Sequence, residues 1–361
     1  MSAINTPDLP ISVDVAVIGG GQSALACAYY LHRSGLSFVL FDDREAAGGA
    51  WQNSWSNLTL FSTHEFSNLP GMPMPKYDGF PPYTHVIDYL TEFERRFDVP
   101  VVRPAHVDRV TWQPGGKAEG EGGQDAGEQR AHFVLHIGGQ RCRALAVISA
   151  TGTRSRPFVP RYPGAFSGVQ LHNEQYRGPE KYAGTRVAVV GGANSAAQVA
   201  ADLVNVADVT WYTKEPPRWM PDEVDGRVLF QNFDKFRREQ EGNPDTEPVD
   251  VPDRNPIGDI VMVPPVLAAR DAGKLTATPM FHSLDEVAAD YLIWCTGYRP
   301  ESTHLRGVIK QKTPQHPGLY LVGYGNWCGL GSATLAGVGP SARSAVAAAR
   351  DHIGEITKSR R

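Results

Sequence analysis

The stretch Val13-Asp14-Val15-Ala16-Val17-Ile18-Gly19-Gly20-Gly21-Gln22-Ser23-Ala24 decides how this chain folds. A short run, apolar except for Asp14, leads straight into consecutive glycines. After them Ala24 to Leu31 is apolar over a helical length, with Gly35 placed to end the helix, and Phe38 to Phe41 is apolar again. The order is strand, glycine turn, helix, strand. Gly19, Gly21 and Ala24 occupy the places of a dinucleotide-binding turn. The first permits the sharp bend, the second lets backbone approach a diphosphate, and the third packs helix on strand. Gln22 and Ser23 open the helix whose positive end would face the phosphates. After 17 intervening residues, 25–41, Asp42 closes the second strand, the reach of a carboxylate that accepts hydrogen bonds from ribose hydroxyls.

The same pattern returns about 170 residues later, at Val187 to Val190, Gly191-Gly192, Ala196 to Leu203 and Val209 to Tyr212. Here Gly191, Ala193 and Ala196 give a looser turn, with a methyl at the place nearest the phosphates, and Asn194 and Ser195 open the helix. The same spacing, 197–213, now ends on Lys214, and a cation there suits a 2′-phosphate. Arg218 is close enough to join it, so the second site reads as NADPH rather than NADH. Two such units in one chain suggest a tightly held flavin and a hydride donor.

Composition agrees with this reading. A length of 361 residues exceeds what one hydrophobic core usually organises, and 41% hydrophobic residues suffice for two. A net charge of -4 gives no basic field for nucleic acid or anionic lipid. Cys27, Cys142, Cys295 and Cys328 form no C-x-x-C pair, which argues against a disulfide framework, a zinc ribbon or a dithiol redox motif, and no metal is expected. With neither a signal-like start nor a membrane-length apolar run, a cytoplasmic protein is expected. Gln113 to Arg130 reads as a solvated hairpin loop or a locally disordered insert, and Phe233 to Pro256, carrying four prolines, as an irregular excursion. No metalloprotease, P-loop or nucleophile-elbow motif is present.

With these units the chain resembles the flavin-containing monooxygenase superfamily, and most closely the flavin monooxygenase-like proteins encoded in bacterial arsenic-resistance operons. The resemblance runs from Val13 to about Ala349. Gly48-Gly49-Ala50-Trp51 matches the G-G-x-W that lies along the flavin, and Leu69 to Pro75 looks like the stretch that follows it. Phe166, Gly168, His172 and Tyr176 are spaced as in the F-x-G-x-x-x-H-x-x-x-[WYF] signature of these monooxygenases. Ala150-Thr151-Gly152 and Cys295-Thr296-Gly297 resemble the strand ends at which such chains cross between domains. Pro317 to Trp327 resembles the last flavin-binding strand, with Gly325 and with Asn326 where relatives usually place Asp. The position of the active-site asparagine of eukaryotic-type members falls near Phe61.

The resemblance implies an α/β fold of two Rossmann-like dinucleotide-binding domains, one for FAD and one for NADPH, the second inserted in the first. Residues 1–156 and 286–361 would form the FAD domain and 157–285 the NADPH domain. It implies an NADPH-consuming monooxygenase acting through a C4a-hydroperoxyflavin on a small soft nucleophile, with O2 as co-substrate and a link to arsenical resistance. A homodimer is left open. The flavin carries the chemistry, so catalytic side chains are few. His172 could act as an acid but more often such a histidine fixes a loop, and Trp51 could shape substrate access or simply pack on the cofactor. Two alternatives stay open: an NADPH-dependent flavoprotein reductase of a small disulfide or quinone, and a nucleotide-binding redox sensor without turnover.

Overall fold

The computed structural model describes residues 9–115, 130–222, 259–329 and 331–358. The strands are β1 (Ser12–Ile18), β2 (Phe38–Phe41), β3 (Val101–Val102), β4 (Val107–Gln113), β5 (His132–Ile137), β6 (Gln140–Ser149), β7 (Val169–His172), β8 (Arg186–Val190), β9 (Asp208–Thr213), β10 (Ala277–Pro279), β11 (Tyr291–Trp294), β12 (Ile309–Lys310), β13 (Thr313–Pro314) and β14 (Leu319–Leu321). The helices are α1 (Gln22–Leu31), α2 (Tyr83–Arg96), α3 (Asn194–Leu203), α4 (Pro264–Asp271) and α5 (Val338–Lys358).

The first sheet has the order β3-β2-β1-β6-β5-β4, with β14 also paired to β6. Strand β6 explains how parallel and antiparallel halves meet. Its first part, from Gln140 to Ala144, pairs antiparallel with β5 and alternates buried with less buried residues. Its last part, Val147 to Ser149, lies between β1 and β14, both parallel to it, and is buried throughout. A strand covered on both faces needs an unbroken apolar run, and Ala146-Val147-Ile148 supplies it. Helix α1 is apolar all round because it lies between the sheet and α5; Ala24, Leu25, Ala26, Cys27, Ala28 and Leu31 are fully buried. Helix α5 turns Ala342, Ala345, Val346, Ala349 and Ile353 towards it at helical spacing.

The second sheet, β10-β9-β8-β11-β7, is parallel throughout. Its core joins Val187, Val189, Ile293 and the alanine face of α3 to Val266 and Ala269 of α4. Trp55 and Leu58, which follow the G-G-x-W segment, are buried in this second core, so the chain of the first unit reaches across to the other. Since β11 pairs with both β8 and β7, we place the return to the first sheet after Trp294, not at the 285/286 boundary expected from the sequence. Tyr-Leu-Ile-Trp is buried among parallel neighbours, and only pairing, not composition, assigns it to a sheet.

The hairpin expected around residues 113–130 is seen at its base, where Gln113 faces His132 across β4 and β5, and its tip, 116–129, lies outside the described residues. So does the proline-rich excursion, 233–256. Among the described residues no helix is long and apolar enough to cross a membrane.

Candidate nucleotide sites at the two glycine turns

Both glycine turns are built alike. The amide of Gly19 donates to Phe41 O (2.8 Å), that of Gly191 to Tyr212 O (3.0 Å). A methyl on Gly19 would stand 2.7 Å from Ala150 O, and one on Gly191 2.4 Å from Cys295 O, and both glycines have positive φ, +116° and +146°. Each turn is therefore pressed against the crossing strand of its own sheet, whose residues Ala150 and Cys295 donate in turn to Ile18 O and Val190 O. Gly21 differs. Its φ of −86° and ψ of −173° are open to any residue, and a methyl there would meet only Gly49 Cα, at 3.8 Å. The protein leaves room at this place, which fits a diphosphate approaching the backbone.

A cavity of about 430 Å³ opens over the first turn. Gly19, Gly21, Gln22, Ser23, Asp42, Gly49, Trp51, Thr151 and Gly152 line it, which brings together the sequence candidates of the first unit. Trp51 is tied to the turn: its Nε1 donates to Gln22 Oε1 (3.1 Å), and Gln22 Nε2 donates to Ala333 O (2.8 Å), in the loop before α5. Gly325 and Asn326 stand outside the lining, and Asn326 is exposed. Gly323 and the buried Tyr324 come closer. Tyr324 OH, Ser149 Oγ, Thr151 Oγ1 and Glu301 O form one hydrogen-bonded group, joined by His304 Nε2 at 2.8 Å from Ser149 Oγ. Burial lowers His304 to about 4, so it is neutral there.

Asp42 is 3% exposed, and its environment was not legible from the glycine pattern. Strand β3 brings Arg103 beside it: Arg103 Nε donates to Asp42 Oδ2 (2.8 Å), while Nη1 and Nη2 hold Glu94 on α2 (2.9 and 3.0 Å). Among the described residues Oδ1 has only a long contact from Arg44 N, 3.4 Å, and keeps capacity for a ribose hydroxyl. Burial raises the Asp42 pKa and Arg103 partly offsets it. A carboxyl raised in the folded state contributes stability at low pH that is lost as pH rises through its folded pKa, so at neutral pH the ionised Asp42 costs the fold something. Asp42→Asn is therefore expected to melt no lower than the unmodified apo-protein at pH 7, with Arg103 still held by Glu94. Flavin affinity should fall by about tenfold, the scale of one lost charged hydrogen bond. Thermal melts beside flavin titrations check both halves.

In the second unit the turn is open, with Gly192 and Ala193 exposed. Asn194 is engaged within the chain, its Nδ2 donating to Asp259 O and its Oδ1 accepting from Val261 N, both at 2.9 Å. Ser195 is half-buried beside it, and Lys214 is exposed at the end of β9. Arg218 pairs with Asp259 at 2.7 Å.

His172 is 3% exposed and spends both ring nitrogens. Glu174 N donates to Nδ1 (3.1 Å), which leaves the proton on Nε2 to donate to Gly297 O (3.0 Å). Burial lowers its pKa, so it is held neutral, and it caps the 173–175 turn while pinning the return crossing. The signature's last residue, Tyr176, is buried and donates to Asp202 Oδ2 (2.6 Å), whose other oxygen accepts from Asn57 Nδ2. That bond couples the two units. Phe61 packs half-buried against the second core.

Residues 16–228 match the family description pyridine nucleotide-disulphide oxidoreductase. A flavin-containing monooxygenase from Stenotrophomonas maltophilia is 39% identical, with a TM-score of 0.78 over 95% of this chain and 99% of that one. The chain belongs to this family, and within it to the flavin monooxygenases. This family member is 25% identical to an uncharacterized CzcO-like oxidoreductase of Geobacillus kaustophilus, over 91% of its length and 96% of the relative's. It is 30% identical to the probable indole-3-pyruvate monooxygenase YUCCA9 of Arabidopsis thaliana over 59% of its length, spanning half of that plant protein. The flavin monooxygenase is thus an NAD(P)H-dependent flavoprotein oxidoreductase, and its cofactors are FAD and NADPH.

Proposed function

We propose that this protein is an FAD-dependent, NADPH-consuming monooxygenase that transfers one oxygen atom from O2 to a small soft nucleophile. The first sheet would form the FAD domain and the second an inserted NADPH domain, each a Rossmann-like unit. The observation that carries the reading is the duplicated glycine turn, enclosed in one unit and open in the other. Enclosure at Gly19 to Ser23, with Trp51 and Thr151 closing the cavity, suits a cofactor that stays. The exposed turn at Gly192 and Ala193 suits a coenzyme that must come and go.

Bound flavin supplies the chemistry, accepting hydride and activating dioxygen. The chain's own residues bind and orient. Gly21 and the amino end of α1 would receive the FAD diphosphate, Asp42 Oδ1 the adenosine ribose, and Lys214 the 2′-phosphate of NADPH. Trp51, fixed by Gln22, would lie along the flavin and shield it from water. His172 holds its crossing strand and moves no proton, because neither nitrogen is free to do so.

A thiol-dependent reductase is the weaker reading on a specific observation: none of the four cysteines lines the cavity. Burial raises the pKa of each, Cys142 to about 11. Thiolate is the nucleophilic form, and these sites suppress it.

The deciding experiment is anaerobic reduction by NADPH followed by rapid mixing with O2. A transient absorbing species distinct from oxidised and reduced flavin is expected, longer-lived with NADP+ present than without. Cys328→Ser should leave it unchanged. Slow, featureless reoxidation together with fast disulfide or quinone reduction would replace this reading with the reductase. An arsenical substrate enters only as one soft nucleophile among those to be tried.

A further inference from the structure

Arg154 lies in the turn that follows Thr151 as the chain leaves the first sheet, and it lines the cavity. Its Nε donates to Glu174 Oε2 at 3.1 Å, and its guanidinium stands 5.6 Å from the centre of the Tyr298 ring. Tyr298, on the return crossing, also lines the cavity and directs its hydroxyl to the same Glu174 oxygen, 3.2 Å away. The other end of the guanidinium is different: Nη2 is buried and has no acceptor among the described residues. A buried charged donor left without an acceptor is unfavourable, and structures rarely tolerate one unless a bound group completes it.

The holding of Arg154 also gives the monooxygenase signature a task. His172 caps the turn that carries Glu174, accepting the Glu174 amide at Nδ1, and Glu174 fixes Arg154 against Tyr298. Signature residue, carboxylate and guanidinium thus form a chain of contacts that ends at the cavity wall. A planar fork with one arm pinned and the other unfilled is suited to an oxyanion.

We propose that Arg154 binds a phosphate oxygen of a dinucleotide at the junction of the two sheets, with Glu174 as its positioning residue and His172 supporting Glu174. The proposal rests on reading the cavity as a dinucleotide site. Two sources share this chemistry, the diphosphate of FAD and that of NADPH, and the experiment separates them.

Arg154→Met, Arg154→Lys and Glu174→Gln are compared with the unmodified holoenzyme in three measurements: FAD per protein and its release, NADP+ affinity by titration of the oxidised flavin spectrum, and melting temperature. Arg154→Met is expected to weaken one dinucleotide by about tenfold or more, and Arg154→Lys by less, since charge remains but the fork is lost. Glu174→Gln should weaken the same dinucleotide by a smaller factor. Loss of FAD names the flavin diphosphate, and loss of NADP+ affinity names the coenzyme. A folded Arg154→Met that holds both as tightly as the unmodified protein overturns the proposal. So does an equal loss of both that follows a lower melting temperature in all three variants. If Arg154→Met does not fold, the salt dependence of Arg154→Lys decides, an unchanged affinity at every salt concentration counting against. A yellow unmodified protein keeps the cavity reading whichever way Arg154 falls, and a colourless one removes that reading by itself.

Discussion

Gly21→Val is expected to leave the chain folded and to strip it of FAD. The backbone at Gly21 is extended in a way valine adopts without strain, and the nearest atom to a new Cβ, Gly49 Cα, is 3.8 Å off. The protein itself offers no reason for glycine there. Only a ligand that comes against the backbone would, and a branched side chain occupies the place such a diphosphate needs. Some stability is lost, because valine is a poorer residue than glycine at a helix N-cap, by roughly 1 kcal/mol. Loss of bound flavin lowers the melting point further by mass action. Flavin content should therefore fall to near zero while the apo-protein still melts cooperatively. Gly19→Ala is the contrast. Positive φ and a carbonyl 2.7 Å from the new methyl make it a folding defect, of the order of 1–3 kcal/mol for the backbone alone. Full flavin occupancy in Gly21→Val, measured by absorbance against protein, would show that the first turn has been misassigned.

The contrast between the two glycines also marks what the sequence could tell. Strand, turn and helix were legible at both units because their periodicity is local, and the paired spacing to Asp42 and Lys214 survives in the structure as the ends of β2 and β9. What could not be read was which distant charge meets which. Arg103 is 61 residues from Asp42 and reaches it only because β3 pairs beside β2. No sequence motif singles out Arg154, although Glu174 and Tyr298 converge on it from 20 or more residues away in the chain. Asn326 is exposed, while two residues earlier the Tyr324 hydroxyl meets Thr151, which lines the cavity. Local pattern fixes an element, and tertiary pairing fixes where its side chains converge. His172 shows the same limit: its residue type permits proton transfer, and only its two hydrogen bonds reveal that it is held.

Lys214→Ala should erase most of the preference for NADPH over NADH, and Arg218→Ala alone should change it little. Both cations stand near the second turn, but they are not equivalent. Arg218 is paired with Asp259 at 2.7 Å, so a phosphate would have to compete with a carboxylate already in place. Lys214 is exposed at the end of β9, and among the described residues it forms no ion pair, so its ammonium is available to an incoming 2′-phosphate. One charge-assisted contact is worth about 1.5–3 kcal/mol, or roughly ten- to hundredfold in affinity. Exposure places the effect towards the lower end and makes it fall as salt rises, because screening acts over about 8 Å at physiological ionic strength. The measurement is flavin reduction by NADPH and by NADH at low and moderate salt, for the unmodified enzyme, each single variant and the double variant. NADPH binding should weaken in Lys214→Ala while NADH binding holds steady, since NADH has no phosphate for the lysine to meet. The double variant should add little beyond Lys214→Ala. If the unmodified enzyme uses both coenzymes equally, neither cation reads the 2′-phosphate; if Arg218→Ala has the larger effect, the phosphate lies at Arg218 and the Asp259 pair must open to receive it.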